Sequence, residues 1–169
     1  MCRTLLFTLL IGLASCINDD VPEIIEHVGT GDRVPTFTLG LTNGLTIQST
    51  DYSGAPWGLL FFSVNCPDCQ RLLPEIDKLH AALPDFPLLC VSREPASDIE
   101  VASYWNYRQL SLPYIVPVDK SVYHLFATAG VPRLYIIDAS GTIVQAYSNV
   151  AIPDFNTLAS VVNSLGSPR

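Results

Sequence analysis

The sequence has little charge and no excess of positive charge: 15% of its residues are charged, and its formal net charge is −7. Hydrophobic residues make up 49% of the chain, which predicts one globular domain with a sizeable core and not a disordered chain. The negative balance argues against nucleic acid as a partner and against docking of the protein surface on anionic lipid. The sequence also lacks internal repeats, low-complexity tracts and any sign of a second domain.

The sequence has one C-x-x-C, at Cys66 and Cys69, and lacks both a second one and a pair of histidines at ligand spacing. A structural zinc site needs four ligands, so this C-x-x-C is not expected to be half of one. We therefore predict no metal site and no cofactor. Of the other cysteines, Cys90 lies in an apolar run and is predicted to be a small buried residue on a strand.

The N-terminal apolar run, residues 4–14, is too short to span a bilayer comfortably. It follows a short positive start and leads into Leu13-Ala14-Ser15-Cys16. This pattern resembles a bacterial lipobox, which implies that residues 1–15 are a lipoprotein signal peptide and that Cys16 carries the lipid. An ordinary signal peptide and an uncleaved anchor are the alternatives.

Residues 16–30 lack clear periodicity and predict a solvated tether, which leaves residues 31–169 for the folded domain. With a lipid at Cys16, the domain is expected in the bacterial cell envelope, held to a membrane and lying in the periplasm or at the cell surface. Such a compartment permits disulfides.

The C-x-x-C lies between a strand pattern and a helix pattern. Residues 59–64 are an apolar run long enough for one buried strand, and Cys66-Pro67-Asp68-Cys69 follows directly. Beyond it, apolar residues recur at three- and four-residue steps, which predicts a helix to about Leu83. This context is typical of a dithiol redox site.

The residues of the motif suit that chemistry. Pro67 fits the first turn of a helix, where its missing N–H costs nothing. The free N–H groups of the helix N-terminus favour a thiolate at Cys66, and Cys69, one turn on, is near enough to resolve a mixed disulfide. Asp68 adds a negative charge that opposes the thiolate.

The rest of the chain alternates strand and helix patterns. Residues 31–39 and 45–49 alternate in polarity around Asn43-Gly44, which favours a tight hairpin turn. Further strands or extended segments are predicted at 86–92, 114–118, 134–137 and 142–147, and helices at 97–110, 120–128 and 153–165. A capping box, Ser97-Asp98-Ile99-Glu100, opens the first of these helices. The order predicts an α/β domain with a mixed central sheet flanked by helices.

Two stretches resemble a known family. The strand, the C-x-x-C and Pro74 resemble the active site of a thioredoxin-fold protein, and Gly130-Val131-Pro132-Arg133 with the strand after it resembles that family's cis-proline loop. Together they resemble the membrane-tethered thiol–disulfide oxidoreductases of the TlpA and ResA type, over roughly residues 28–165. The hairpin then corresponds to the N-terminal extension of those proteins.

The resemblance implies a mechanism and its residues. Cys66 would attack a protein disulfide, Cys69 would resolve the mixed disulfide, and Val131 with Pro132 would hold the partner's extended backbone. An upstream thiol donor of unknown identity would re-reduce the pair. Thioredoxins carry a tryptophan and a buried acid where this chain has Asn65 and Leu60, so the redox potential stays open. A reductase is favoured by the family analogy alone.

A peroxiredoxin-like thiol peroxidase is the main alternative. Ser63 lies where peroxiredoxins orient the peroxide, and Arg133 lies where their arginine stabilises the thiolate and the leaving oxygen. Against it, Leu59 replaces a proline expected in peroxiredoxins, and Cys69 is not a peroxidase feature. In the oxidoreductase interpretation, Arg133 is a surface charge near the partner groove.

The second alternative is a non-catalytic copper- or thiol-binding lipoprotein. Copper-delivery proteins of this fold usually have C-x-x-x-C and a distal histidine, whereas the spacing here is one residue shorter. Only His124 is a plausible partner, and a partly buried structural histidine is the simpler interpretation of it.

Overall fold

The computed structural model describes residues 24–95, 98–148 and 152–166. Its strands are β1 (Thr38–Gly40), β2 (Thr46–Gln48), β3 (Trp57–Phe62), β4 (Leu88–Ser92), β5 (Arg133–Ile137) and β6 (Ile143–Tyr147). Its helices are α1 (Pro67–Ala82), α2 (Asp98–Arg108), α3 (Ser121–His124) and α4 (Phe155–Ser164), with a 3₁₀ turn at Ser49–Tyr52. The predicted α/β class with a mixed sheet is confirmed. Ser97, the first residue of the predicted capping box, lies outside the described residues.

The main sheet has the order β4-β3-β5-β6, with β3 and β4 parallel and the other neighbours antiparallel. Every residue of β3, β4 and β5 is buried, which explains why these strands are mostly apolar and do not alternate in polarity. Strand β3 lies in the interior of the sheet and leads into the C-x-x-C. The site is therefore anchored to a strand that is buried along its whole length.

Helix α1 begins at Pro67 and buries one face. The buried side chains recur at helical spacing: Cys69, Leu72, Leu73, Ile76 and Leu79. Pro74 lies inside the helix. Helix α1 also packs against α4.

Strands β1 and β2 form a separate two-stranded sheet, which confirms the N-terminal hairpin. At its turn the N–H of Gly44 donates to the carbonyl of Leu41 at 3.0 Å, and the Asn43 side chain accepts from the N–H of Leu45 at 3.0 Å. Gly44 has a φ of 82°, a conformation that favours glycine. Asn43 and Gly44 thus form the tight hairpin turn that the sequence predicted.

The helix predicted over residues 120–128 is wrong in length, since α3 ends at His124. Residues 126–128 instead pair with an N-terminal segment, residues 24–28: the N–H of His27 donates to the carbonyl of Phe126 at 2.9 Å, and the N–H of Thr128 donates to the carbonyl of Ile25 at 3.0 Å. These backbone groups cannot serve a helix at the same time. Residues 114–118 are extended as expected, with an isolated parallel bridge between Ile115 and Val91.

This pairing also moves the boundary of the folded domain. The structure shows specific hydrogen bonds from residue 25 onward, whereas the sequence predicted a tether through residue 30. A tether would therefore be shorter than expected, and residues 16–23 lie outside the described part of the chain. Within the described ranges, no helix combines the length and apolar character that crossing a membrane requires.

One carboxylate on α1 holds the chain that leaves α2. Oδ1 of Asp77 accepts from the N–H and the hydroxyl of Ser111, at 2.7 and 2.9 Å, and from the N–H of Leu112 at 2.8 Å. We expect Asp77→Ala to lower the free energy of unfolding by about 2 kcal/mol, because these donors lose a charged acceptor. Urea unfolding measures this, with the exposed Asp85→Ala as control at under about 0.5 kcal/mol. Equal losses in the two variants would contradict the role of Asp77.

Candidate active site

Cys66 is the N-cap residue of α1. The chain leaves β3, turns through residues 63–65, and presents Cys66 just before Pro67, as predicted. The thiol of Cys66 is half-buried and its sulfur accepts a hydrogen bond from the N–H of Cys69 at 3.4 Å. A main-chain donor at a helix N-terminus stabilises negative charge on this sulfur. Cys66 is therefore the accessible thiol of the pair.

Cys69 lies behind it and is fully buried. Burial raises the pKa of the Cys69 thiol, and its contact with Cys66 raises it further. The N–H of Ser63, which donates to the Cys69 sulfur at 3.4 Å, and the charge of Arg93 act in the opposite direction without cancelling the effect. Both cysteines are free thiols in this structure. The pair thus combines an accessible thiol with a protonated, enclosed one.

The proline loop, residues 129–132, lies against Cys66. The Cys66 thiol donates to the carbonyl oxygen of Val131 at 3.2 Å, and the Val131–Pro132 peptide is cis. The structure therefore brings together the cysteine pair, Cys66 and Cys69, and the loop residues Val131 and Pro132. Cys66 and Val131 are 65 residues apart in the chain. Val131 is only 7% exposed and Pro132 is buried, so the loop offers little side-chain surface beside the thiol.

The fold and this arrangement agree with the comparisons. Residues 30–146 match the AhpC/TSA family. The chain belongs to that family. It is 22% identical over 142 residues to the thiol-disulfide oxidoreductase ResA of Bacillus subtilis (strain 168), a match covering 83% of this chain and 79% of ResA.

Two solved structures show the thioredoxin-like fold of this family member. A putative protein disulfide isomerase from Bacteroides thetaiotaomicron has a TM-score of 0.68 at 24% identity, covering 83% of this chain and 90% of its own. A secreted Mycobacterium tuberculosis disulfide oxidoreductase, described as homologous to Escherichia coli DsbE, has a TM-score of 0.67 at 21% identity, covering 76% and 96%. The predicted thioredoxin-like fold is confirmed, and the chain is a homologue of named thiol–disulfide oxidoreductases.

Asp68 has a partner that the sequence analysis missed. Its carboxylate forms an ion pair with Arg71 at 2.5 Å, one turn along α1. Aspartate and arginine three residues apart share one face of a helix. Part of the negative charge of Asp68 is therefore compensated, and its expected opposition to the Cys66 thiolate is weakened.

The prediction that Arg133 is a surface charge is wrong. Its side chain is 2% exposed. The guanidinium donates from Nη2 to the carbonyl of Ala129 at 2.7 Å, from Nε to that of Gly130 at 3.1 Å, and from Nη1 to Oε1 of Glu26 at 3.0 Å. A buried guanidinium requires such partners. Its donors are thus committed to the proline loop and to Glu26, and not to the sulfur as in the peroxidase alternative.

Ser63, the other residue of the peroxidase alternative, also has different partners. Its hydroxyl accepts from the N–H of Asn65 at 3.3 Å, and its own N–H donates to Cys69. The side chain is 9% exposed. Ser63 therefore supports the turn and the second thiol.

The remaining candidates are spread over the fold. Cys90 is 1% exposed on β4, opposite Leu60 on β3, which confirms its prediction as a buried strand residue. His124 is exposed, so the partly buried histidine that we expected is wrong. Across the described residues, no group of three or more histidine, cysteine, aspartate or glutamate side chains is arranged to hold a metal ion.

Helix α2 borders the site, a contact that the sequence analysis did not predict. The amide of Asn65 donates to Oε1 of Glu100 at 2.7 Å, and Trp105 packs against Phe62 with ring centroids 5.0 Å apart. Indole Nε1 of Trp105 donates to the carbonyl of Leu112 at 2.9 Å. The residue that replaces the tryptophan of thioredoxins is therefore tied to α2. Glu100 had been singled out in the sequence only as part of a capping box, which indicates the start of a helix and not a contact with Asn65.

The burial of two thiols predicts selective alkylation. Because burial raises the pKa values of Cys69 and Cys90, both should stay protonated at neutral pH. We expect iodoacetamide to modify Cys66 first at every pH from about 6 to 9, with modification of Cys69 rising as pH rises. Mass spectrometry of the reduced, folded protein reports each site. Modification of Cys69 as fast as Cys66 would contradict the asymmetry.

Proposed function

We propose that this protein is a thiol–disulfide oxidoreductase that reduces protein disulfides. The observation that carries the proposal is the pairing of the half-buried Cys66, held at the N-terminus of α1, with the enclosed thiol of Cys69 one turn on. Thiol–disulfide exchange needs an accessible thiolate and a second thiol within reach of the mixed disulfide. The names of the curated relatives support the same chemistry.

The reaction takes two exchange steps. The Cys66 thiolate attacks one sulfur of the substrate disulfide, which forms a mixed disulfide and releases the other sulfur as a thiolate that takes up a proton. Cys69 then loses its proton and attacks the Cys66 sulfur, which closes the Cys66–Cys69 disulfide and frees the second substrate thiol. The substrate gains two electrons and two protons, and the protein loses them. A thiol donor is needed to return the pair to the reduced form.

The proline loop is the proposed contact for the partner's backbone. Because Val131 and Pro132 are buried, a partner would meet main-chain atoms and the edge of the loop more than their side chains. Main-chain contacts are sequence-tolerant, so they suit a protein that acts on several disulfides. This supports a broad substrate class of extended segments that carry a disulfide.

The environment of Cys69 supports a reductase. Oxidants of this fold are strong because their reduced form is stabilised. Here burial raises the pKa of Cys69 and so gives no stabilisation to a second thiolate. A strong oxidant would need a stabilised reduced pair, and the buried Cys69 contributes no such stabilisation, so this thiol favours a reductase over an oxidant.

Reduction of insulin disulfides in the presence of dithiothreitol tests the proposal. The full chain should accelerate insulin precipitation in a catalytic amount. No acceleration over dithiothreitol alone would refute the reductase. Consumption of hydrogen peroxide by a protein that leaves insulin untouched would favour the peroxidase.

We also propose that the domain works outside the cytoplasm, anchored by lipid at Cys16. The lipobox pattern supports the anchor, and Cys16 itself lies outside the described residues. Incorporation of labelled fatty acid into the wild-type chain but not into Cys16→Ala tests it. Label that persists in Cys16→Ala would refute the anchor and leave the reductase proposal intact.

A further inference from the structure

Arg133 connects the proline loop with the N-terminal segment, residues 24–28. Two of its side-chain nitrogens donate to the main chain of the proline loop, at Ala129 and Gly130, and the third donates to Glu26 of the N-terminal segment. The residues of the ion pair are 107 positions apart in the chain. One buried side chain thus connects the N-terminal segment with the loop beside Cys66.

The N-terminal segment presents Glu26 from a backbone that is itself held in place. The N–H of Ile25 donates to the hydroxyl of Thr128 at 2.9 Å, and the N–H of His27 donates to the carbonyl of Phe126 at 2.9 Å. Glu26 lies between these contacts, and it forms an antiparallel bridge with Ala127. Its carboxylate is therefore aimed at the guanidinium by paired backbone on both sides.

The two partners differ in exposure, which decides what each contributes. The side chain of Arg133 is 2% exposed and that of Glu26 is 50% exposed. A buried charge without a counter-charge is strongly unfavourable, because desolvation of the ion is then uncompensated. Removal of Glu26 would leave the buried guanidinium without its counter-charge, so Arg133 would shift toward water and release the loop.

Tyr123 also contributes a hydrogen bond to the proline loop. Besides Arg133, the hydroxyl of Tyr123 donates to the carbonyl of Gly130 at 2.8 Å. The next residue, Val131, accepts the hydrogen bond from Cys66. The Gly130 carbonyl belongs to the peptide that leads into Val131. A change in its direction would therefore move the Val131 carbonyl, which faces the Cys66 thiol.

We propose that Glu26 and Arg133 are positioning residues, whose ion pair sets the proline loop against Cys66 so that the loop can receive the backbone of a disulfide-bearing protein. The proposal rests on the proposed function, since the receiving role presupposes a protein disulfide as substrate. Neither side chain is needed to touch the reacting sulfurs. The ion pair should affect the binding of a polypeptide and not the chemistry of the dithiol.

This distinction defines the experiment. Glu26→Ala and Glu26→Gln are compared with the wild-type full chain in insulin reduction and in reaction with 5,5′-dithiobis(2-nitrobenzoate), a disulfide with no peptide backbone. We expect the KM for insulin to rise about tenfold in Glu26→Ala, with kcat and the rate with the small disulfide changed by less than about twofold. Glu26→Gln keeps an acceptor for Arg133 without the charge, so its KM should fall between those of the other two.

A matched control removes another ion pair. Lys78 pairs with Glu75 on α1 at 2.6 Å, and the Lys78 side chain is 59% exposed. Lys78→Ala should behave as wild type in both reactions, since an exposed pair contributes little. An unchanged KM in Glu26→Ala would overturn the proposal. Equal losses in both reactions would overturn it as well, because they indicate damage to the dithiol or to the fold.

Amide hydrogen exchange separates this proposal from the proposed function. In Glu26→Ala, exchange should quicken at Gly130 and Val131 while β3 keeps its protection. If the wild-type chain does not reduce insulin, both the proposed function and the role of the loop in binding a protein substrate are refuted. Amide hydrogen exchange in Glu26→Ala then still shows whether the ion pair holds the loop. Unchanged exchange at the loop refutes that hold even if the wild type is active. Because Glu26 is half exposed, this variant should fold where substitution of the buried Arg133 fails.

Discussion

Replacement of Cys66 by serine should reduce the rate of insulin reduction by at least about a thousandfold. The serine hydroxyl has nearly the same size but is protonated at neutral pH and does not exchange with a disulfide. The fold should survive, because the side chain lies at the half-buried N-cap of α1, where serine is itself a favoured residue. Insulin reduction, followed with circular dichroism as a check on folding, measures the effect.

Cys90→Ala is the matched control for this variant. Cys90 is 1% exposed on β4, and its burial raises the pKa of its thiol, which keeps it unreactive. We expect activity within about twofold of wild type and a stability loss of about 1 kcal/mol from the lost sulfur. More than a tenth of the wild-type rate in Cys66→Ser would show that another group is the nucleophile.

Replacement of Cys69 by serine should trap the protein as a mixed disulfide with its substrate. Cys66 remains able to attack, but the neighbouring thiol that would release the product has been removed. Turnover should fall by about a hundredfold or more, and an adduct with an insulin chain should appear on non-reducing gels and vanish with dithiothreitol. The same approach with a cell extract would capture the natural partners.

The double variant Cys66→Ser/Cys69→Ser is the control for this trap and should give no adduct. It separates true exchange at Cys66 from adventitious oxidation of Cys90. If Cys69→Ser reduces insulin as fast as wild type and gives no adduct, the dithiol mechanism is wrong. A single-thiol reaction at Cys66 would then replace it.

The local parts of the site could be predicted because their signals are contiguous in the sequence. An apolar run predicted β3, and apolar residues at three- and four-residue steps predicted α1. Pro67 indicated the first turn of that helix. The hairpin turn at Asn43-Gly44 was predicted on the same local grounds. The proline loop was predicted from its resemblance to a family, and the contact between Val131 and Cys66 agrees with that resemblance.

The parts that could not be predicted depend on partners far away in the chain. Arg133 lies in an exposed-looking loop sequence, but Glu26, 107 residues earlier, gives it a buried counter-charge. Backbone groups of Phe126 and Thr128 form hydrogen bonds with the same N-terminal segment. Helix α3 therefore ends before the residue that the sequence predicted. The link between Asn65 and Glu100 spans 35 residues. Patterns in a short stretch of sequence do not indicate contacts between residues so far apart in the chain.

A redox titration of the full chain tests the central claim most directly. The protein is equilibrated across a series of thiol–disulfide buffers, the free thiols are alkylated, and each cysteine is read by mass spectrometry. We predict one two-electron transition shared by Cys66 and Cys69, with Cys90 alkylated only after denaturation at every potential. The midpoint should lie nearer to the roughly −270 mV of a reducing thioredoxin than to the roughly −120 mV of an oxidant. The absence of a Cys66–Cys69 disulfide at every potential would contradict the account.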